Sequence, residues 1–336
     1  MPGKTLITGG SGFIGTNLVA AMVAEGEDLL NLDKAPALCP GHERYRRPCD
    51  IMDDDVLCEA MHAYAPDQVI HLAARTDLEE RDGLRAYREN IQGTTNVLNA
   101  ICGTPSVKRV VITSSSLASK PGYIPQSDRD YRPHTRYGES KAVSEELTRA
   151  AQLPCTWFIL RPTTIWGPWL MRHRDEVFKT MRRGLYLHPG GAPVMRAWGY
   201  VGNSVHQIRR LLELPHDMVH ERVFYIADER RDIADWADVV SRRLRGRQAR
   251  RVPRGLLRAL ALGGDLLKAL GGPEILTSAR YRNMTEDFPV PIERTLELVG
   301  PPPYSLEEGV AATLAWLEAE PADDQPARQK LLHPVG

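Results

Sequence analysis

Thr8-Gly9-Gly10-Ser11-Gly12-Phe13-Ile14-Gly15 decides the fold of this chain. A β-type run, Lys4 to Thr8, comes before it, and a helical pattern from about Gly12 to Glu25 follows. In that order, strand, glycine turn and helix aim free N–H groups at an anion. Gly9 permits the tight turn, Gly12 lets a pyrophosphate approach the backbone, and Gly15 lets the helix pack on the sheet. Phe13 and Ile14 share the step from turn to helix and join the glycines as candidate dinucleotide contacts. A glycine triplet alone is an ordinary turn. Its strand and helix neighbours give it weight.

The next strand candidate, Asp28 to Leu32, leads into Asp33, 18 residues after Gly15. A carboxylate there accepts from both adenosine ribose hydroxyls and repels a 2′-phosphate, which favours NAD over NADP. Lys34 beside it pulls the other way and is kept as a candidate contact. The competing role for Asp33 is a turn or cap acid.

Further strand candidates are Val69 to Leu72, Arg109 to Thr113 and Thr156 to Leu160, separated by helical stretches. Strands alternating with helices predict βαβ units and a parallel sheet. From Pro162 on, Pro and Gly become frequent and the pattern loses its regularity. This predicts a nucleotide-binding domain over 1–165, a smaller mixed lobe over 166–319 with some elements returning to the sheet, and a disordered tail over 320–336. Gly255 to Gly272 reads as an amphipathic helix pair, and Ser305 to Ala319 as a closing helix.

The 336 residues carry 43 Lys plus Arg against 43 Asp plus Glu, so the formal net charge is zero. Nucleic acid or an anionic membrane as the main partner would call for a basic surplus. The balance hides one local excess: Arg242 to Arg254 holds seven arginines and no acid. An RNA-binding role through that run lacks interleaved aromatics. The five cysteines are scattered and never spaced as CxxC, which predicts no disulfide framework, no zinc and a reducing cytoplasm. No apolar leader and no membrane span is expected, and no paired histidine spacing points to a metal.

Two segments carry chemistry. In Tyr137-Gly138-Glu139-Ser140-Lys141 the phenol and the ammonium lie four residues apart on one helix face. A nearby ammonium stabilises a phenolate, which suits a general acid/base. Thr113-Ser114-Ser115-Ser116 lies at the end of the Arg109 strand, where open α/β sheets bind ligands. A hydroxyl there can hold a substrate oxygen against the tyrosine.

Together these segments resemble the extended short-chain dehydrogenase/reductases, the NAD-dependent epimerase/dehydratase family. The resemblance runs from Lys4 to about Leu317. It includes Cys49-Asp50-Ile51, HLAA at His71 to Ala74, ENIQGTTNVL from Glu89, RPTTIWGP from Arg161, MRAWGYVGN at 195 to 203 and YSLEEGVAATLAW near the end. It implies a Rossmann-type doubly wound parallel sheet with a smaller mixed α/β C-terminal substrate lobe. It implies NAD as cofactor, with Asp50 and Ile51 at the adenine. Leu72, Ala73, Ala74 and Asn90 would line the cofactor cleft, with Pro162 near the nicotinamide. Tyr137 would be the acid/base, Lys141 the ribose-binding partner that tunes it, and Ser115 the holder of the reacting oxygen, with Ser116 as runner-up. Arg75, Thr164, Arg196 and Arg280, with Arg282 as the alternative to Arg280, are the substrate-side candidates. A homodimer is implied through the helices of Thr94 to Ile101 and Tyr137 to Ala150.

The serine loop lacks the Thr-Asp-Glu of dehydratases, so the resemblance implies an epimerase or reductase instead of a 4,6-dehydratase. Its first reading is a nucleotide-sugar enzyme. Thr164 stands where many such enzymes have Asn, and RPTTIWGP resembles the steroid-dehydrogenase-like branch. A hydrophobic-alcohol dehydrogenase is therefore the second reading. A non-catalytic NAD-binding regulator is a distant third, because Tyr137, Lys141 and the serines are intact.

Overall fold

The computed structural model describes residues 3–78, 82–272 and 276–319. Seven parallel strands form its central sheet: β1 (Thr5–Thr8), β2 (Leu29–Asp33), β3 (Arg46–Pro48), β4 (Gln68–His71), β5 (Arg109–Thr113), β6 (Thr156–Pro162) and β7 (Val223–Ile226). Their order across the sheet is β7-β6-β5-β4-β1-β2-β3. Short apolar runs suit strands covered on both faces. Alternate residues of β1, β4 and β5 feed opposite cores: Ile7, Ile70 and Val111 enter one, Leu6, Val69 and Val110 the other.

Helices cover both faces. α1 (Phe13–Ala24) supplies Leu18, Val19 and Met22 to the first core, where α5 (Val201–Glu213) adds Val205, Ile208 and Leu211. α2 (Asp54–Tyr64) and α3 (Thr94–Cys102) fill the second core with Leu57, Met61, Val97 and Ile101. α4 (Arg136–Ala150) packs beside α3. This is the doubly wound parallel architecture expected from the alternating pattern. The strand order reverses direction between β1 and β4, and the glycine turn emerges at the carboxyl end of β1 beside that switch point.

Two strands escaped the sequence pattern. β3 is three residues of Arg-Arg-Pro at the sheet edge, with no apolar alternation to reveal it. β7 comes from well beyond residue 165 and pairs with β6 on the opposite edge. Outside the sheet, before and after β7, the chain makes a lobe of helices and three short two-stranded pairings, 165–166 with 199–200, 187–189 with 250–252 and 195–196 with 231–232. This lobe also holds α6 (Ile233–Arg245), α7 (Arg254–Ala269), α8 (Glu293–Val299) and α9 (Leu306–Ala319). The expected helix pair over Gly255 to Gly272 is a single helix, α7. Gly263 and Gly264 do not break it; at Gly264 the chain at Leu276 crosses so closely that a Cβ would lie 1.8 Å from the Leu276 carbonyl oxygen. The expected tail over 320–336 lies outside the described residues.

One buried ion pair ties α4 to the sheet. Arg161 of β6 and Glu145 of α4 are 1% and 0% exposed and form a two-pronged pair, Nε to Oε1 and Nη2 to Oε2, both 2.8 Å. Arg161 also donates to the Tyr225 hydroxyl on β7 at 2.9 Å and to the Asp128 carbonyl at 2.8 Å. Burial opposes its charge, yet Glu145 holds its pKa above the ordinary value. Removing one partner of such a pair strands a charge in the core. Glu145→Gln should therefore lower unfolding free energy by about 3–5 kcal/mol. An unchanged urea midpoint would show that the pair does not anchor α4.

Candidate active site

The glycine turn is held from three sides. Gly9 has φ +78, and a Cβ there would lie 2.5 Å from the Ala73 nitrogen. The chain after β4, Leu72 to Ala74, therefore passes directly over the turn, and Leu72 N donates to the Thr8 carbonyl at 2.9 Å. From below, Asn31 of β2 accepts from Gly10 N at 2.8 Å and donates to Ser11 Oγ at 3.1 Å. Sequence reading missed Asn31; its polarity inside an apolar strand was the available signal. No side chain caps the start of α1 at Gly12.

Asp33 ends β2 beside this turn. Its carboxylate accepts from Ser11 N and Ala35 N, both at 2.9 Å. Burial raises its pKa, and these N–H groups oppose the rise. Asp33 thus braces the turn, the competing role considered for it, at the carboxyl end of β2. Lys34 points away to Asp50 in an exposed pair at 3.5 Å. Ile51 is buried against Gly93, and its carbonyl accepts from Asn96. Phe13, Ile14 and Leu72 are partly buried against the first core.

Asn90 is fully buried and fully occupied. It accepts from Arg75 N at 2.7 Å and donates to the Arg75 carbonyl at 3.0 Å and Ser140 Oγ at 2.9 Å. Ser144 Oγ donates to the Asn90 carbonyl at 2.5 Å. One amide thus locks the loop after β4 to α4. His71 lies next to this network. Thr94 spends its proton on the Asn90 carbonyl, so it accepts from His71 Nε2, and His71 Nδ1 accepts from Thr8 at 2.7 Å. Burial first, and Lys141 second, push the imidazole pKa down to about 3, so it stays neutral.

α4 brings the acid/base candidate to the serine loop. Thr135 caps the helix by accepting from Gly138 N at 3.0 Å. Gly138 is what permits close approach: a Cβ there would lie 2.0 Å from the Leu117 carbonyl oxygen. The chain from Ser115 to Leu117 therefore lies against the first turn of α4, close enough for Ser115 to act on the Tyr137 phenol. Ser115 Oγ also accepts from Leu117 N at 3.1 Å. Tyr137 is 8% exposed. Burial raises its pKa to about 12, with Ser115 opposing the rise and Tyr87, 6.1 Å away between rings, adding to it. The expected lowering of this phenol by Lys141 is not what the side chains produce: burial dominates. Lys141 is itself buried, and its pKa falls to about 8, with Glu145 opposing the fall. At the end of β5, Thr113 Oγ1 and Ser114 Oγ are buried without a protein partner.

The substrate-side candidates scatter. Ser116 is buried in the short turn after Ser115. Arg75 Nε pairs with Asp77 at 2.6 Å and its Nη1 with the Ala86 carbonyl at 2.9 Å, placing its guanidinium over Tyr87. Pro162 is buried at the end of β6, and Thr164 two residues on is exposed. Arg196 donates to the Glu286 carbonyl at 2.9 Å and stacks over Phe288. It lines a cavity of about 390 Å³ with Trp166, Trp198, Asp228 and Trp236, which neither Ser115 nor Tyr137 lines. Arg280 lies in a helix, Ser278–Thr285, capped by Thr277. The structure thus gathers the glycine turn, Asp33, Asn90, Ser115, Tyr137 and Lys141 at one sheet edge. Of the four substrate-side arginine and threonine candidates, Arg75 joins this group through its two backbone hydrogen bonds to Asn90.

A model of the NAD-dependent epimerase/dehydratase family matches residues 5–227. An Escherichia coli O157:H7 protein, N-acetyl-alpha-D-glucosaminyl-diphospho-ditrans,octacis-undecaprenol 4-epimerase, is 30% identical over 225 residues, 63% of this chain and 64% of that one. A Mycobacterium tuberculosis 3 beta-hydroxysteroid dehydrogenase/Delta 5→4-isomerase is 30% identical over 222 residues, 61% of this chain and 58% of that one. The match thus spans under two thirds of the length of either relative. Among solved structures, UDP-glucuronic acid 4-epimerase from Bacillus cereus, in complex with UDP-glucuronic acid and NAD, has a TM-score of 0.71 at 19% identity. It covers 94% of this chain, which covers 99% of it. That likeness is one of fold.

Gly138→Ala tests the approach of α4 to the serine loop. The added methyl should cost about 1–3 kcal/mol of stability. Hydrogen exchange at Leu117 and Ala118 should quicken by about tenfold or more. Unchanged exchange there would show that Gly138 does not hold Ser115 to Tyr137.

Proposed function

The chain belongs to the NAD-dependent epimerase/dehydratase family, and we propose that it oxidises, and in an epimerase re-reduces, a secondary alcohol carbon of a sugar carried on a diphosphate. The observation that carries this reading is the close approach of the Ser115 loop to the first turn of α4, which Gly138 permits, with Tyr137 and Lys141 buried one helical turn apart on that helix. The residues suit the family's cofactor. The glycine turn and the start of α1 would hold the pyrophosphate, and Asp33 the adenosine ribose. Asp50 and Ile51 would lie at the adenine, Leu72 to Ala74 and Asn90 along the cleft, and Lys141 and Pro162 at the nicotinamide end. NAD, when bound, supplies the two-electron acceptor for the alcohol carbon.

The chain's own groups manage the proton and the position. With a pKa near 12, Tyr137 holds its proton at neutral pH and is poised as the acid toward a carbonyl oxygen. Ser115 Oγ shares that oxygen and fixes its distance from the phenol. In the oxidising direction the same phenol must first give up its proton, and the Lys141 ammonium favours the resulting phenolate. Asn90 keeps the loop after β4 and α4 in register.

The diphosphate-borne sugar is supported by the E. coli relative, whose name carries such a substrate. A nucleotide or a lipid on the far side of the diphosphate both suit that chemistry. The second reading, a hydroxysteroid or other hydrophobic alcohol, is supported by the M. tuberculosis relative and by the exposed Thr164 after Pro162. Turnover assays with nucleotide hexoses, polyprenyl-diphosphate sugars and 3β-hydroxysteroids separate the readings. A homodimer through α3 and α4 belongs to the same proposal.

Tyr137→Phe should bind NAD with unchanged affinity and lose turnover by on the order of 100-fold or more. Full turnover would remove Tyr137 from the mechanism. The Lys141 ammonium exists below its pKa of about 8, so kcat/KM should be sustained below that pH and fall above it. Lys141→Arg, which stays charged, should abolish that alkaline limb. A limb that persists in this variant assigns it to another group.

A further inference from the structure

α7 wears its apolar face outward. Within it only Leu257 and Ala261 are buried. Leu256, Leu260, Leu262, Leu266 and Leu267, with Leu270 at its end, are 40–78% exposed. At 3.6 residues per turn these six leucines, with Ala259 and Gly263, occupy an arc of roughly 160° that contains no charged residue. Arg254, Arg258, Asp265 and Lys268 all fall on the remaining arc. Scattered exposed leucines are ordinary; a continuous stripe of six on one helix marks an interaction surface.

What precedes the helix says what that surface meets. The seven arginines of Arg242 to Arg254 run from the end of α6 through strand 250–252 into the first residue of α7. Arg242, Arg243, Arg245, Arg247, Arg250 and Arg251 are exposed, as is Arg258 at the border of the leucine arc. Arg245, Arg247 and Arg250 line one cavity of about 300 Å³ with Gly184, Tyr186 and Gln248. Asp238, which pairs with Arg251 at 2.9 Å, is the acid that the described ion pairs place against this run. Zero net charge therefore hides a strongly basic patch that continues directly into an outward leucine face.

We propose that α7 and the arginines before it dock the protein on an anionic lipid surface, the leucines entering the acyl boundary and Arg245, Arg247 and Arg250 meeting headgroup phosphates. The helix lies in the surface plane and does not span it; no helix among the described residues is long and apolar enough to cross a membrane. This docking does not depend on the chemistry assigned to Tyr137. It places that chemistry where an alcohol on a lipid carrier is within reach.

Flotation of the full-length protein with phosphatidylcholine vesicles, with and without phosphatidylglycerol, tests it. The protein should float with the phosphatidylglycerol vesicles, and salt should weaken the binding. Leu262→Ser with Leu266→Ser should reduce partitioning by about tenfold or more. Both sites are exposed, so NAD affinity and melting temperature should hold. Arg247→Gln with Arg250→Gln should leave weak binding that no longer distinguishes the two vesicles. If the wild type stays at the bottom of the gradient, or if the leucine variant floats equally well, the proposal fails. It also fails if light scattering shows a wild-type dimer that the leucine variant turns into a monomer without any vesicle binding, because a second copy then covers the face.

Discussion

The pair between Arg161 and Glu145 is the constraint on which the candidate site depends. It joins three pieces that the chain makes at different times: β6, α4 and, through Tyr225, β7. Two charges at 1% and 0% exposure are costly to desolvate, and nothing about the pair recommends it for stability over a well-packed apolar contact. Its value lies in direction. An apolar contact would let α4 slide along the sheet; a two-pronged guanidinium–carboxylate fork allows one register. Glu145 is also one turn beyond Lys141 and is the group that opposes the loss of its charge. The same carboxylate therefore holds α4 in place and opposes the loss of charge on the buried ammonium it carries.

Much of the sheet was legible because it is local. β1, the glycine turn and α1 are contiguous, and each glycine expectation rests on atoms within a few residues or on the chain just above. The parallel strands were visible because burial on both faces leaves uninterrupted apolar runs. β3 was invisible for the opposite reason: Arg46-Arg47-Pro48 joins the sheet edge by backbone pairing and an Arg46 side-chain bond to the Asp33 carbonyl, with no apolar run. β7, Val-Phe-Tyr-Ile, has a strand composition, yet its place beside β6 is a long-range fact that no window reports.

The site divides the same way. Tyr137, Lys141 and Ser115 were readable as residue types, but their electrostatics were not. Spacing alone suggested an ammonium lowering a phenol; burial of the whole cluster raises the phenol to about 12 and lowers the amine to about 8. Desolvation is a property of everything packed around a group and has no signature in a five-residue motif. Asn31 and Gly138 went unread for a related reason, since each matters only through a neighbour far away in sequence. The substrate-side arginines were chosen by charge, and charge says little about where a long side chain ends. Arg75 and Arg196 end on backbone carbonyls.

β7 completes the sheet only after the chain has left it at Pro162 and wandered through some sixty residues of the second lobe. Tyr225, which Arg161 needs, arrives with it. A ribosome that has released the nucleotide-binding half has therefore released an edge strand, β6, with no neighbour on one side and a buried guanidinium short of a partner. Such an edge is sticky. Synthesis must carry the nascent chain past Ile226 before that edge is covered, so the vulnerable interval in the birth of this protein is set by the length of the lobe between them.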